Sequence, residues 1–172
     1  MKFLLLTIPL LLFGRTAPAQ DSLRLLTWNI QMLPMLVNAN GKGKRAKAIV
    51  DQLKSHPYDV VVFQEMFKHR SRKIITRGLA EMYPHQTKVL NKKAVSFKTS
   101  GGVIILSRHP MLGVQQIRYK ERTGFDKLAR KGALLAEIDF HGKHIQVIGT
   151  HLQAFGQDPI LYSQYNCAVG PL

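Results

Sequence analysis

Cysteine is nearly absent: Cys167 stands alone in 172 residues. No internal disulfide can form, so the fold has to rest on a hydrophobic core or on bound metal. Acidic side chains are scarce as well, ten Asp and Glu against twenty-five Lys and Arg, for a formal charge of +15. Such a chain is drawn to phosphate, whether on nucleic acid, on lipid head groups or at a bilayer surface. Charge alone does not choose among these, and a solvated basic face is the commonest cause of the imbalance. Repeats and low-complexity tracts are missing, and 45% hydrophobic with 20% charged residues suits one folded domain.

Long apolar runs are missing too, apart from Phe3 to Phe13, interrupted at Thr7 and Pro9. As a helix that run rises only about 16 Å, short of the roughly 30 Å of a hydrocarbon core. Lys2 precedes it and Ala17-Pro18-Ala19 follows. A positive start, a short apolar centre and small residues before the cut define a secretory signal peptide over residues 1–19, with the mature chain starting at Gln20. The product is expected to be secreted or periplasmic. Gln20, not cysteine, stands directly after the cut, which argues against a lipid anchor there, and removing the leader leaves about +13.

What is present reads as alternating strands and helices. "LRLLTWNI" at 23–30 is a first strand. "VNANGKGKR" supplies Asn40, Gly41 and Gly43 for a basic loop, and a helix follows, with Ala46, Ile49, Val50 and Leu53 on one stripe. Pro57 ends it. Val60 to Phe63 in "YDVVVFQE" fits a strand covered on both faces. A second helix is expected over Ser71 to Met82, stopped by Pro84, and another strand over Val103 to Leu106, so that the strand–crossover–strand unit is read twice. A looser strand covers 112–119, and "ALLAEIDF" and "HIQVIGT" flank His141-Gly142 as a hairpin, making the sheet arrangement mixed. Asp158-Pro159 reads as the start of a last helix.

Three side chains stand where strands deliver them. Asn29 and Glu65 offer hard oxygens of the kind magnesium or calcium accepts while keeping several waters. His151 follows "VIGT", which reads as a buried parallel strand running to a ligand-bearing sheet edge, and an imidazole there suits acid or base work. Asp126, Lys127, Arg130 and Lys131 form a loop ahead of a strand. Lys131-Gly132 lets a cation and nearby backbone approach a phosphate, and a solvated loop explains it equally well.

Taken in order, "LLTWNIQMLP", "YDVVVFQEMF", "SGGVIILSRHP", "FDKLARKGALLAEI" and "VIGTHLQA", spread over Leu23 to Tyr165, resemble the endonuclease/exonuclease/phosphatase superfamily, and within it the secreted bacterial sphingomyelinase C type of phosphodiesterase. The resemblance implies a four-layer α/β sandwich with mixed β-sheets, of which this chain supplies the N-terminal half. It implies that Asn29 and Glu65 hold the divalent metal, magnesium with manganese or cobalt as substitutes. It further implies that His151 stabilises the phosphoryl group in the transition state, and that Asp126 and Lys131 organise the phosphate. The reaction implied is in-line attack of water on sphingomyelin at a membrane surface, leaving ceramide and phosphocholine.

Relatives of this type continue into a second half with an Asp-x-Asn motif and an Asp-His pair whose histidine is the general base. After Gln153 this sequence has one aspartate, Asp158, and no histidine. The expectation is therefore a truncated chain with weak activity alone, completed by a missing C-terminal half or a second chain. Two alternatives stay open: a secreted metal-dependent nuclease of the same superfamily, and a non-catalytic basic fragment binding membranes or nucleic acid.

Overall fold

In the computed structural model the first strand β1 (Leu25–Asn29), the helix α1 (Lys42–Ser55) and the strand β2 (Val60–Gln64) form the expected parallel unit, with Leu25 paired to Val60 and Asn29 to Gln64. The structure describes residues 21–33, 41–91, 100–119 and 130–152. The leader over 1–19, Asp126 with its loop, and the helix expected from Asp158 lie outside the described residues.

The four apolar residues of β2 alternate between two cores, as a strand's two-residue period requires. Val61 and Phe63 turn toward Ile49, Val50 and Leu53 of α1 and toward Ile75 and Leu79. Val60 and Val62 join Ile105, Leu134, Ala136, Ile138 and Val147 on the other side. Each fully buried aliphatic chain such as Leu53 stabilises the fold by about 1.5–3 kcal/mol.

The second expected crossover is not parallel. After α2 (His69–Gly78) comes the two-residue strand β3 (His85–Gln86), which pairs antiparallel with β4 (Ile104–Ser107), and β4 itself runs antiparallel to β2. Burial of both faces of β4 carries no information about strand direction, which is why its composition misleads here. The helix α2 also ends earlier than Met82. Gly78 sits against Val50, whose methyls lie 3.0 Å from where a Cβ would be, and the Leu79 N–H caps the end on the carbonyls of Arg77 and Ile75. At the other helix the glycine loop is shorter than expected, since α1 starts at Lys42 and takes Gly43 into its first turn.

A second sheet follows, β5 (Met111–Arg118), β6 (Gly132–Phe140) and β7 (Lys143–Thr150), antiparallel throughout. The β6–β7 turn is the expected one: His141 and Gly142 both have positive φ, +54° and +81°, which suits a tight hairpin matched to strand twist. The strand that delivers His151 is therefore an antiparallel edge strand with one wet face, not a buried parallel one. Its alternation of Val147 with exposed Gln146 and Ile148 is the signature that "VIGT" alone conceals. The layers are thus α1 with α2, then the sheet β1-β2-β4-β3, then the sheet β5-β6-β7. Among the described residues nothing covers the outer face of the last sheet, where Leu135 pairs with exposed Ile148 and Ala133 with exposed Ile117.

Candidate active site

β1 and β2 end side by side, and the chain leaves both strands through the same rare conformation. Glu65, directly after β2, has φ +56°, and Gln31, two residues past Asn29, has φ +48°. Left-handed backbone at a residue other than glycine costs free energy and persists only when its surroundings hold it. Here the two turns are laced together: Ile30 N–H donates to the Gln64 carbonyl at 3.2 Å, Met32 N–H to the Glu65 carbonyl at 3.0 Å, and Lys68 N–H to the Met32 carbonyl at 2.9 Å. Within this frame the Asn29 Nδ2 donates to Glu65 Oε1 at 3.0 Å, and the Gln31 N–H donates to Asn29 Oδ1 at 3.1 Å.

The imidazole arrives from the other sheet. Gly149 lies so close to the first sheet that a Cβ there would stand 2.7 Å from Val62 Cγ1, and this close approach brings the end of β7 over the end of β2. His151 Nε2 lies 3.5 Å from Glu65 Oε1, with the side chains 24% and 15% exposed, so both are sheltered yet reachable. Lys131 fixes the exit from that strand: its Nζ donates to the Leu152 carbonyl at 2.9 Å. Thr150 Oγ1 adds a bond to the Gly132 carbonyl at 3.1 Å and meets Tyr119 Oη at 2.7 Å.

Asn29, Glu65 and His151 thus converge, whereas Asp126 lies outside the described residues. Lys131 is 4% exposed, which rules out the solvated-loop reading for it, and its ammonium faces backbone next to His151. Sequence reasoning missed the residues that act through main-chain atoms. Arg45 donates to the Gln31 carbonyl at 2.8 Å, Lys42 to the Leu33 carbonyl at 2.8 Å, and Arg72 to the carbonyls of Met66 and Phe67 at 3.1 and 3.3 Å. Burial, then the nearby charges of Lys68 and Arg45, hold the Lys42 ammonium below its ordinary pKa. A hollow of about 480 Å³ between the first turns of α1 and α2 is lined by Lys42, Lys44, Lys47, Lys68 and Arg70. It adjoins this edge of the fold without enclosing Glu65.

The donor set suits a hard divalent cation. One carboxylate and one carboxamide, joined through Asn29 Nδ2 while Oδ1 accepts the Gln31 N–H, offer the few hard oxygens that magnesium needs, since it keeps most of its waters. No group of three His, Cys, Asp or Glu placed to hold a metal ion occurs among the described residues.

Residues 26–162 match the endonuclease/exonuclease/phosphatase family. A sphingomyelinase C of Leptospira interrogans is 31% identical over 158 residues, covering 83% of this chain and 28% of that protein. A phospholipase C of Staphylococcus aureus is 33% identical over 144 residues, 77% of this chain and 44% of the other. A crystal structure of a beta toxin mutant from Staphylococcus aureus with bound magnesium ions superposes with a TM-score of 0.73 at 30% identity, over 80% of this chain and 51% of the toxin. The chain spans less than half the length of these two curated relatives.

Proposed function

From the premise that this chain belongs to the endonuclease/exonuclease/phosphatase family, we propose that Asn29, Glu65 and His151 are part of the reaction centre of a magnesium-dependent phosphodiesterase acting on sphingomyelin. The observation that carries this reading is the meeting of three side chains from two sheets at one point, 3.0 Å from Asn29 to Glu65 and 3.5 Å from Glu65 to His151. Glu65 and Asn29 would hold the cation, which when bound neutralises charge developing on the phosphoryl oxygens. His151, whose Nε2 lies 3.5 Å from Glu65 Oε1, would turn that N–H from the carboxylate to a phosphoryl oxygen as charge builds there. Lys131 keeps the strand exit in place beside it, and a role for Asp126 in organising the phosphate rests on the family resemblance alone. Water attacks phosphorus in line, and the P–O bond to ceramide breaks, giving ceramide and phosphocholine. Export after removal of residues 1–19, in secreted or periplasmic form, fits a lipid substrate in an external membrane.

All seven histidines of the sequence lie in described residues, and His151 is the one paired with Glu65. No second imidazole stands there to take a proton from water, so turnover by this chain alone is expected to be slow; base catalysis is worth about 10²–10⁴-fold. The test combines calorimetric titration of Mg²⁺ with phosphocholine release from sphingomyelin vesicles. E65Q should weaken Mg²⁺ about tenfold or more, and H151A should lower release about a hundredfold while leaving Mg²⁺ uptake nearly unchanged. Uptake indifferent to E65Q, or release indifferent to H151A, would sink the reading. The basic helical layer favours nucleic acid as the competing substrate, and Mg²⁺-dependent cleavage of DNA without phosphocholine release would select the nuclease.

A further inference from the structure

Arg45 sits in the first turns of α1, exposed, one residue before the apolar stripe that starts at Ala46. It does not pack the helix onto the sheet; Ala46, Ile49, Val50 and Leu53 do that. Its guanidinium instead reaches out of the helix, with Nη2 2.8 Å from the Gln31 carbonyl and 3.7 Å from Met32 Sδ. Gln31 is one of the left-handed residues at the site, and its own N–H holds Asn29 Oδ1, while Asn29 Nδ2 holds Glu65 Oε1. A continuous relay therefore runs from guanidinium to carbonyl, from amide to carboxamide, and from carboxamide to carboxylate.

We propose that Arg45 is a positioning residue for the metal-holding pair: by pinning the Gln31 carbonyl it keeps the left-handed turn and, through the Gln31 amide, fixes the carboxamide of Asn29 against Glu65. The charge of Arg45 argues for this geometric role. A permanent cation near a pair meant to receive Mg²⁺ repels it, so electrostatics alone would favour a neutral side chain at position 45. Arginine suits a task in which a long, planar, always-charged donor must reach a carbonyl that no secondary-structure bond among the described residues secures; Nη2 makes both contacts here. The neighbouring ties across the turns use the N–H groups of Ile30 and Met32, and among the described residues the Gln31 carbonyl is held by Arg45.

The two explanations differ in sign, which makes the experiment decisive. Its first readout rests on the metal reading above, and its second does not. Mg²⁺ affinity is measured by calorimetry on the 172-residue chain and on R45M, R45K, N29A and R45M/N29A, with melting temperatures to check folding. Removing the repelling charge should nonetheless weaken Mg²⁺ about tenfold in R45M, the scale seen when groups orienting metal ligands are lost. R45K, which keeps the charge but shortens the reach to the Gln31 carbonyl, should also weaken it. In the N29A background R45M should cause no further loss, because the relay is already cut. Tighter Mg²⁺ binding in R45M, or equal losses with and without Asn29, would overturn the proposal. Hydrogen exchange of the Gln31 amide, followed by NMR without metal, should accelerate in R45M, and unchanged exchange would overturn it as well. If the parent chain takes up no Mg²⁺, the phosphodiesterase reading fails and the Gln31 exchange alone decides the role of Arg45.

Discussion

Gly149 is the residue on which the site's construction turns. A methyl group there meets Val62 and Val103 side chains at 2.7 and 3.0 Å, so something in the seam between the sheets has to shift. G149A is expected to lose about 1–3 kcal/mol in urea unfolding. G43A, in the open first turn of α1 with nothing within 4 Å of its added carbon, should instead gain about 0.5–1 kcal/mol from helix propensity. Equal effects of the two substitutions would contradict this account. Asn29, Glu65 and His151 were legible because each is a chemically distinct side chain at the end of an apolar run. Gln31 and Arg45 were not, since their work is done on main-chain atoms and any residue type has those. For Lys131 the sequence leaves a phosphate-facing role and a solvated loop equally open; its burial and its bond to the Leu152 carbonyl remove the second.

Among the elements, the link between the end of α2 and the start of β2 invites an alkaline test. Tyr83 is fully buried, and its phenolic oxygen accepts the Tyr58 N–H at 3.2 Å. Burial pushes the phenol above its ordinary pKa of 10.0, with the Tyr58 bond and the charges of Arg108 and Arg24 drawing it partly back. The unfolded chain therefore gives up this proton first. Stability from the neutral phenol is whole below pH 10 and is lost as pH rises through the folded-state value. Lys42, shifted downward, acts in the opposite sense in the alkaline range, so the comparison with Y83F is what isolates the phenol. Y83F should lose about 1 kcal/mol at neutral pH, where the Tyr58 N–H is left without its acceptor, and should show a flatter decline above pH 10. Parallel declines in the two proteins would refute this. The parallel β1–α1–β2 unit and the His141-Gly142 hairpin were readable because period and turn chemistry are local. The direction of β4 and the end of α2 were not, because one depends on pairing partners far along the chain and the other on Val50 lying against Gly78.

For the whole molecule, the basic character inferred from composition is concentrated rather than spread. α1 and α2 together carry nine Lys and Arg and a single acid, Asp51, and both helices begin without an acidic residue in the first turn. Their positive ends lie at the same edge of the sheet as Asn29 and Glu65, as the bonds from Arg45 to the Gln31 carbonyl and from the Lys68 N–H to the Met32 carbonyl show. Sedimentation with phosphatidylserine vesicles should accordingly fall steeply between low and high salt, and K44A/K47A/R70A should weaken it roughly tenfold while E65Q does not. Salt-independent sedimentation would rule this face out. The two-sheet construction has a last consequence. Asn29 and Glu65 belong to a single sheet and are tied by backbone bonds on both sides, whereas His151 rides on the other sheet and meets them only across a packed boundary. On the proposed reading, slippage along that boundary would separate the imidazole from an Asn29–Glu65 pair that stays whole, so a protein that has lost catalysis would still take up its cation.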